Sequence, residues 1–241
     1  MSSSSEEGPP DSHISSSVSL AYWNTITPDV SGMLGGYPQV SRIDLQGSKN
    51  FLSKIRRLRS TSSPNATTPS SSKLKRVVDC GAGIGRVTEG FLSQVADVVD
   101  IVEPVANFAK VIESSSLKAE GRIGNVYLTG LESWKPSNAY NLIWNQWCLG
   151  HLTDAQLVEY LKRCTAALTK DGWIAVKENL STHSFGEDLY DELDSSVTRS
   201  DQKFRELFES AGLGILKTEL QTGFPKGLGL YPVRMYALRP K

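Results

Sequence analysis

No run of apolar residues approaches the ~20 needed to cross a bilayer. The N-terminus also lacks the basic, apolar and cleavage-site succession of a secretory signal. Net charge is missing too: 26 Lys and Arg balance 26 Asp and Glu across 241 residues. Nothing therefore draws the whole molecule to nucleic acid or to an anionic membrane. Cysteine is scarce and odd in number. Cys80, Cys148 and Cys164 have no close metal-ligand spacing, and each lies inside an apolar pattern. They read as reduced core residues in a reducing compartment, with no metal site. The expected setting is cytoplasmic, with the nucleus also open. The length suits one α/β domain with a sizeable core.

What is present begins with Arg76-Val77-Val78-Asp79-Cys80-Gly81-Ala82-Gly83-Ile84-Gly85-Arg86. A β-branched run breaks into three alternate glycines, and Val87, Phe91, Leu92 and Val95 follow with helical spacing: strand, tight turn, helix. Glycine permits φ > 0 and close ligand approach, and a helix N-terminus offers free N–H groups. A second apolar run, Val98 to Val102, ends on Glu103, placed to accept ribose hydroxyls. A dinucleotide fingerprint wants glycine at position 86, where arginine stands. The acid-x-G-x-G-x-G form resembles motif I of class I S-adenosylmethionine-dependent methyltransferases, and S-adenosylmethionine is the expected cofactor.

Residues 1–17 are too polar to bury and read as a disordered tail. Residues 18–241 read as one domain. Within it, 18–59 form an N-terminal helical extension outside the sheet, and 60–72 a flexible Ser/Thr/Pro-rich connection. Residues 73–241 form the core, in βα alternation: strands at 124–128, 140–144 and 173–176, and a helix carrying Leu157, Leu161, Cys164 and Leu168. Thr153 with Gln156 suits a capping box, and Gly172 a C′ position. A last helix carries Phe204, Leu207 and Phe208, and two final runs read as an antiparallel pair. The sheet is expected to be mostly parallel, with ligands at the carboxyl ends of its strands.

Three polar clusters fall on that rim: Asn145-Gln146-Trp147 with His151, Lys177-Glu178-Asn179, and 191–196. Singly, each has a bland reading. His151 would precede a helix cap, Asp191 and Asp194 would be solvated or caps, and Trp144 and Trp147 would be core. Jointly they point to a site.

Tyr22-Trp23, Gly32-Met33-Leu34-Gly35-Gly36-Tyr37, Asp79 to Arg86, Ile143-Trp144-Asn145-Gln146-Trp147, Gly150-His151-Leu152-Thr153-Asp154 and Asp194-Ser195-Ser196-Val197 occur in one order. This set resembles the protein N-terminal (α-N) methyltransferase family, which methylates the α-amine of proteins beginning X-Pro-Lys. The resemblance runs from about Ser19 to Leu238. It implies a Rossmann-like class I fold with a seven-stranded sheet, and a monomer acting on X-Pro-Lys N-termini such as those of ribosomal or nuclear proteins. It also implies roles. Gly81, Gly83 and Arg86 would hold the methionyl end of the cofactor, Arg86 pairing with its carboxylate. Glu103 would take the ribose, Leu131 and Glu132 would flank the adenine, and Gln146 would line the methyl-donor side. Trp23, Leu34, Val40 and Trp147 would form the substrate mouth, Asp191 and Ser196 would read the third-position lysine, and Tyr22 and Asn179 would hold the substrate backbone.

An α-amine has a pKa of about 8 and arrives largely protonated, so transfer needs a base or a proton exit. Asp194 and His151 are the candidates, the imidazole being the better match to neutral pH. Two competing readings remain. One is a class I methyltransferase for a small molecule or a protein side chain. The other is a non-catalytic N-terminus-binding module, which would have no need of a donor site.

Overall fold

The apolar runs become the strands of one sheet in a computed structural model that describes residues 8–62 and 73–241. Three helices come first: α1 (Ser16–Thr25), α2 (Val30–Met33) and α3 (Ser41–Ser62). β1 (Leu74–Cys80) follows, then a π turn over Thr88–Leu92 running into α4 (Ser93–Val95), and β2 (Ala96–Val102). Next come α5 (Ala106–Glu113), α6 (Ser116–Ala119), β3 (Ile123–Tyr127) and β4 (Tyr140–Gln146). The chain continues through α7 (Asp154–Ala166), β5 (Leu168–Asn179) and a small hairpin of β6 (Leu189–Asp191) and β7 (Ser196–Thr198). It ends with α8 (Asp201–Ser210), β8 (Leu213–Leu220) and β9 (Val233–Pro240).

The strand order is β3-β2-β1-β4-β5-β9-β8. The first five strands run parallel, and β9 runs antiparallel to both β5 and β8. The fold is thus the expected seven-stranded, mostly parallel sheet with a reversed C-terminal pair. The chain winds outward from β1 to β3, then returns to β4 on the other side. The switch point between β1 and β4 is where such sheets open a ligand crevice.

Successive side chains on a strand face opposite ways. Val77 joins one apolar layer with Phe51 and Ile55 of α3. Val78 joins the other, with Leu157 and Leu161 of α7 and Phe204 and Phe208 of α8. α3, expected outside the sheet, is therefore one of its covering layers. Each fully buried Leu- or Phe-sized side chain contributes ~1.5–3 kcal/mol. Cys80, Cys148 and Cys164 are buried and free, as their apolar contexts indicated.

Three local expectations need correction. Residues 8–17 are not a loose tail. Pro10–His13 form a 3₁₀ turn, Asp11 Oδ2 accepts from the Asp154 N–H at 2.9 Å, and Tyr190 Oη donates to the His13 carbonyl at 3.1 Å. The Ser15 N–H donates to Ser195 Oγ at 2.8 Å. A polar segment with little to bury is held here by hydrogen bonds, which composition does not register. The connection expected at 60–72 is helical through Ser62, and the rest of it lies outside the described residues. Gly172 is not a C′ residue. α7 ends at Ala166, Leu168 already pairs with Tyr140, and a register shift precedes the pairing of Leu142 with Trp173. A Cβ on Gly172 would stand 2.7 Å from the Tyr140 carbonyl oxygen, so the glycine serves close strand approach. The capping box at Thr153 and Gln156 is present with both of its bonds.

Candidate active site

The turn after β1 needs its glycines. Gly81 and Gly83 have φ of 65° and 57°, in the left-handed region. A Cβ on Gly81 would come within 2.4 Å of Cys148 Cβ. Buried carboxylates pin this turn and its neighbours. Glu103, just past β2, accepts from the Gly83 N–H at 2.7 Å and the Val105 N–H at 2.8 Å. Asp79 accepts from Thr88 Oγ1 at 2.6 Å, and Glu178 accepts from the N–H groups of Cys148 and Leu149, both at 2.9 Å. Burial outweighs those bonds and pushes Asp79 up to about 6 and Glu103 and Glu178 up to about 7.

Behind the turn lies a charged hub. Asp44 of α3 is fully buried and takes Lys177 Nζ at 2.5 Å and Arg86 Nη1 at 2.8 Å. Gln146 Nε2 reaches both of its oxygens, at 3.0 and 2.9 Å. One carboxylate shared by two cations leaves one positive charge in excess, at the edge of the cleft where Arg86 sits. Burial lowers the Lys177 pKa, while Asp44 opposes the shift. Trp147 lies under the Arg86 guanidinium at 5.6 Å, and its Nε1 is buried with no hydrogen-bond partner among the described residues.

His151 ends a 3₁₀ turn over Leu149–His151, after a glycine whose Cβ would stand 3.0 Å from the Val197 carbonyl. Trp23 Nε1 donates to its Nε2 at 3.2 Å, and Ser19 Oγ lies 3.0 Å from its Nδ1. Burial lowers the His151 pKa, with Asp194 and then the Ser195 backbone opposing. Asp194 Oδ1 is buried and has no hydrogen-bond partner among the described residues. Tyr22 is raised by burial first, then by Asp194 and Asp191, which brings these three groups into one electrostatic cluster. Trp147 and Ser195 are the two non-glycine residues with left-handed φ among the described residues, both at 53°. Such backbone strain concentrates at functional sites.

One cleft joins most of the expected residues. Gly81, Gly83, Arg86, Glu103, Leu131, Glu132, Gln146, Trp147, Trp23 and His151 all line it. Leu34 and Val40 are buried and do not line it; Met33 stands in the wall instead. Asn179 ends β5, opposite Val233 and outside the lining. Asp191 is exposed, its Oδ1 taken by the Leu193 N–H at 2.9 Å, and Ser196 faces it across the hairpin. The carboxylate on Arg86 in this structure is that of Asp44. Asp44 and Ser19 escaped the sequence reading, and Met33 entered it only within a motif, without a role. Asp44 is one more charge on a helix by local pattern, and no spacing rule links it to Lys177.

The cleft fits S-adenosylmethionine. Side-chain-free Gly81 and Gly83 put backbone into its wall, the surplus charge at Arg86 suits a carboxylate, and Glu103 places an acidic side chain in the same lining. Val105, Phe108 and Leu131 give an apolar slot on the same side.

A family model described as AdoMet dependent proline di-methyltransferase matches residues 11–239. An alpha N-terminal protein methyltransferase 1 of Schizosaccharomyces pombe is 44% identical, over 93% of this chain and 95% of that protein. A rat N-terminal Xaa-Pro-Lys N-methyltransferase 1 is 38% identical, over 92% of this chain and 94% of that protein. Among solved structures, a SAM-dependent methyltransferase of Leishmania major superposes with a TM-score of 0.77 at 36% identity, covering 92% of this chain and 81% of that one. At 11% identity, an S-adenosylmethionine-dependent methyltransferase of Clostridium acetobutylicum (TM-score 0.55, covering 69% and 84%) shares the fold alone.

Proposed function

Because this chain belongs to the AdoMet-dependent proline di-methyltransferase family and methylates the α-amine of X-Pro-Lys N-termini from S-adenosylmethionine, we propose that Asp194 receives the substrate ammonium and His151 takes its proton. The observation that carries this is the buried Asp194 Oδ1, left without a partner among the described residues beside an imidazole whose pKa burial lowers. A buried, unbonded carboxylate oxygen is costly unless a cation completes it.

Bound S-adenosylmethionine supplies a methyl already activated by its positive sulfur. The chain's own work is therefore placement, desolvation and proton removal. Arg86 would pair with the methionyl carboxylate, and Gly81 and Gly83 would let it approach the backbone. Glu103 would hold the ribose, Leu131 and Glu132 would flank the adenine, and Gln146, fixed by Asp44, would line the donor side. Trp23 and Trp147 shape the mouth for a proline ring and an ammonium, whose charge aromatic faces favour. Leu34 and Val40, both buried outside the cleft lining, would have to reach substrate through a side-chain shift to form part of that mouth. Asp191 and Ser196 read the third-position lysine from the hairpin, and Tyr22 and Asn179 hold the substrate backbone. An amine near pKa ~8 stays largely protonated at neutral pH. A neutral His151 can accept its proton, and Asp194 steadies the cation before transfer and the imidazolium after it.

Replacing Asp194 or His151 with Asn tests the reading on an X-Pro-Lys hexapeptide. kcat should fall ~10²–10⁴-fold, with KM changing far less. The deficit should shrink as pH passes about 8, where solvent leaves the amine free. A pH-independent deficit in both variants would refute proton removal by these groups.

A further inference from the structure

α1 carries Ser19 and Trp23 four residues apart, so both lie on one face of the helix, and Ser15 is its N-cap. The helix and its cap grip the site at three points. Ser15 N–H donates to Ser195 Oγ, Ser19 Oγ meets His151 Nδ1, and Trp23 Nε1 meets His151 Nε2. Two residues one helical turn apart therefore clasp both nitrogens of a single imidazole. Ser19 is 6% exposed, so water does not compete for the contact.

The chemistry of the two partners fixes the ring. An indole N–H can only donate, so Nε2 at 3.2 Å must present its lone pair to Trp23. A neutral imidazole with a bare Nε2 carries its hydrogen on Nδ1, and that hydrogen needs an acceptor. Ser19 Oγ, at 3.0 Å, is that acceptor. In the opposite tautomer Nε2–H would confront the indole N–H, donor against donor. The one lone pair of the ring would then point at Ser19, and Nε2 would have none to offer a substrate. Among the described residues Asp194 bears on the ring electrostatically and the Ser195 backbone also favours its protonated form, with Tyr22 beside Asp194.

We propose that Ser19 is a positioning residue that holds His151 in the Nδ1–H tautomer, with the Nε2 lone pair turned to the cleft. This rests on the reading of His151 as the proton acceptor. When the substrate ammonium arrives, Trp23 gives up its bond to Nε2. The N–H bond of the ammonium breaks, its proton passes to Nε2, and the electron pair stays on the amine for attack. The Nδ1 hydrogen remains on its nitrogen, still donated to Ser19, so the charge of the imidazolium is shared with a hydroxyl that is already in place.

The test uses the full chain labelled with ¹⁵N-histidine and saturated with S-adenosylhomocysteine, in the parent, Ser19→Ala and Ser19→Thr. Nitrogen chemical shifts and their couplings to ring protons distinguish the tautomers, and His151→Asn assigns the resonance among the three histidines of the chain. The parent is expected to show Nδ1–H, Ser19→Ala a mixed or reversed tautomer, and Ser19→Thr the parental signal. On an X-Pro-Lys peptide, Ser19→Ala should lower kcat about 2- to 10-fold at unchanged KM, the factor a single neutral hydrogen bond is worth, and Ser19→Thr should restore it. An unchanged tautomer in Ser19→Ala overturns the proposal. So does a changed tautomer with unchanged kcat while His151→Asn is inactive. A fully active His151→Asn would instead remove the underlying reading of the base, and the nitrogen shifts alone would still decide whether Ser19 sets the tautomer.

Discussion

Asp44→Asn probes the buried hub most directly. The side chain keeps its size and loses its charge, which leaves Lys177 and Arg86 facing one another without a counter-ion. At an effective dielectric of about 20, unit charges at the 2.5 and 2.8 Å separations seen here attract by ~6 kcal/mol each. Desolvation cancels most of that, and breaking a buried pair costs ~3–5 kcal/mol. Lys177 Nζ retains three neutral acceptors: the Asp44 carbonyl at 2.9 Å, Ser48 Oγ at 3.0 Å and Gln221 Oε1 at 2.9 Å. They place the expected loss near the lower figure, ~3 kcal/mol, or a Tm lower by ~6–12 °C for a domain of this size. Thermal and urea unfolding of the unliganded protein measure it, with Lys177→Met and the double variant completing a cycle. The double variant should be less damaged than the two single losses added together. The burial-lowered pKa of Lys177 gives a second check. A lowered lysine sheds its proton more easily in the folded state, so the gap between Asp44→Asn and the parent should narrow as pH rises. A loss within ~1 kcal/mol, or an additive cycle, would show that the hub is not organised around this charge.

Gly83→Ala forces an alanine to φ 57°, at ~1–2 kcal/mol of strain, and sets a Cβ 2.6 Å from Met33 Sδ. Calorimetry should record lost S-adenosylmethionine affinity in a folded protein, and unchanged affinity would refute the close approach. Asp191→Asn should raise KM for X-Pro-Lys peptides by only about 2- to 5-fold, because Asp191 is exposed and a solvated ion pair is worth ~0.2–1 kcal/mol. An equal loss on a peptide with Gln at the third position would show that Asp191 does not read the lysine. Asp79, Glu103 and Glu178 titrate at about 6, 7 and 7 in the folded chain, against about 4 when unfolded. The folded state therefore holds more protons across that window, and stability falls as pH climbs from about 4 to about 7. His151, lowered by burial, opposes as a single group. The unliganded Tm should be higher at about pH 5 than at about pH 7.5, and a Tm rising over that interval would contradict these burial effects.

The residues legible in the sequence are those whose neighbours in space are also neighbours in the chain. Val77 to Gly85 carry strand, turn and helix start in one stretch, and Glu103 follows at the end of the next apolar run. Thr153 and Gln156 cap a helix three residues apart, and the reversed pair β8 and β9 closes the chain. Asp44 reaches Lys177 across 133 residues and Gln146 across 102, and no local pattern foretells such a meeting. Gly172 misled for the opposite reason. It follows a helical stripe at a plausible distance, yet the pairing of Leu168 with Tyr140 had already begun the strand. Residues 8–15 looked solvated because their attachments are hydrogen bonds to the far end of the chain. Ser19 carries no local signal, since a serine is informative only once its partner is known.

The contacts of α1 depend on helical pitch as much as on side chains. Ser19 and Trp23 meet the same imidazole because each successive residue turns the helix by about 100° and advances it 1.5 Å. Exchange of either removes one contact. Insertion or deletion of a single residue between them swings one around the axis, so the two no longer meet one ring. The helix works as a ruler. Over evolutionary drift it should therefore tolerate changes of letter on its outer side far better than any change of length.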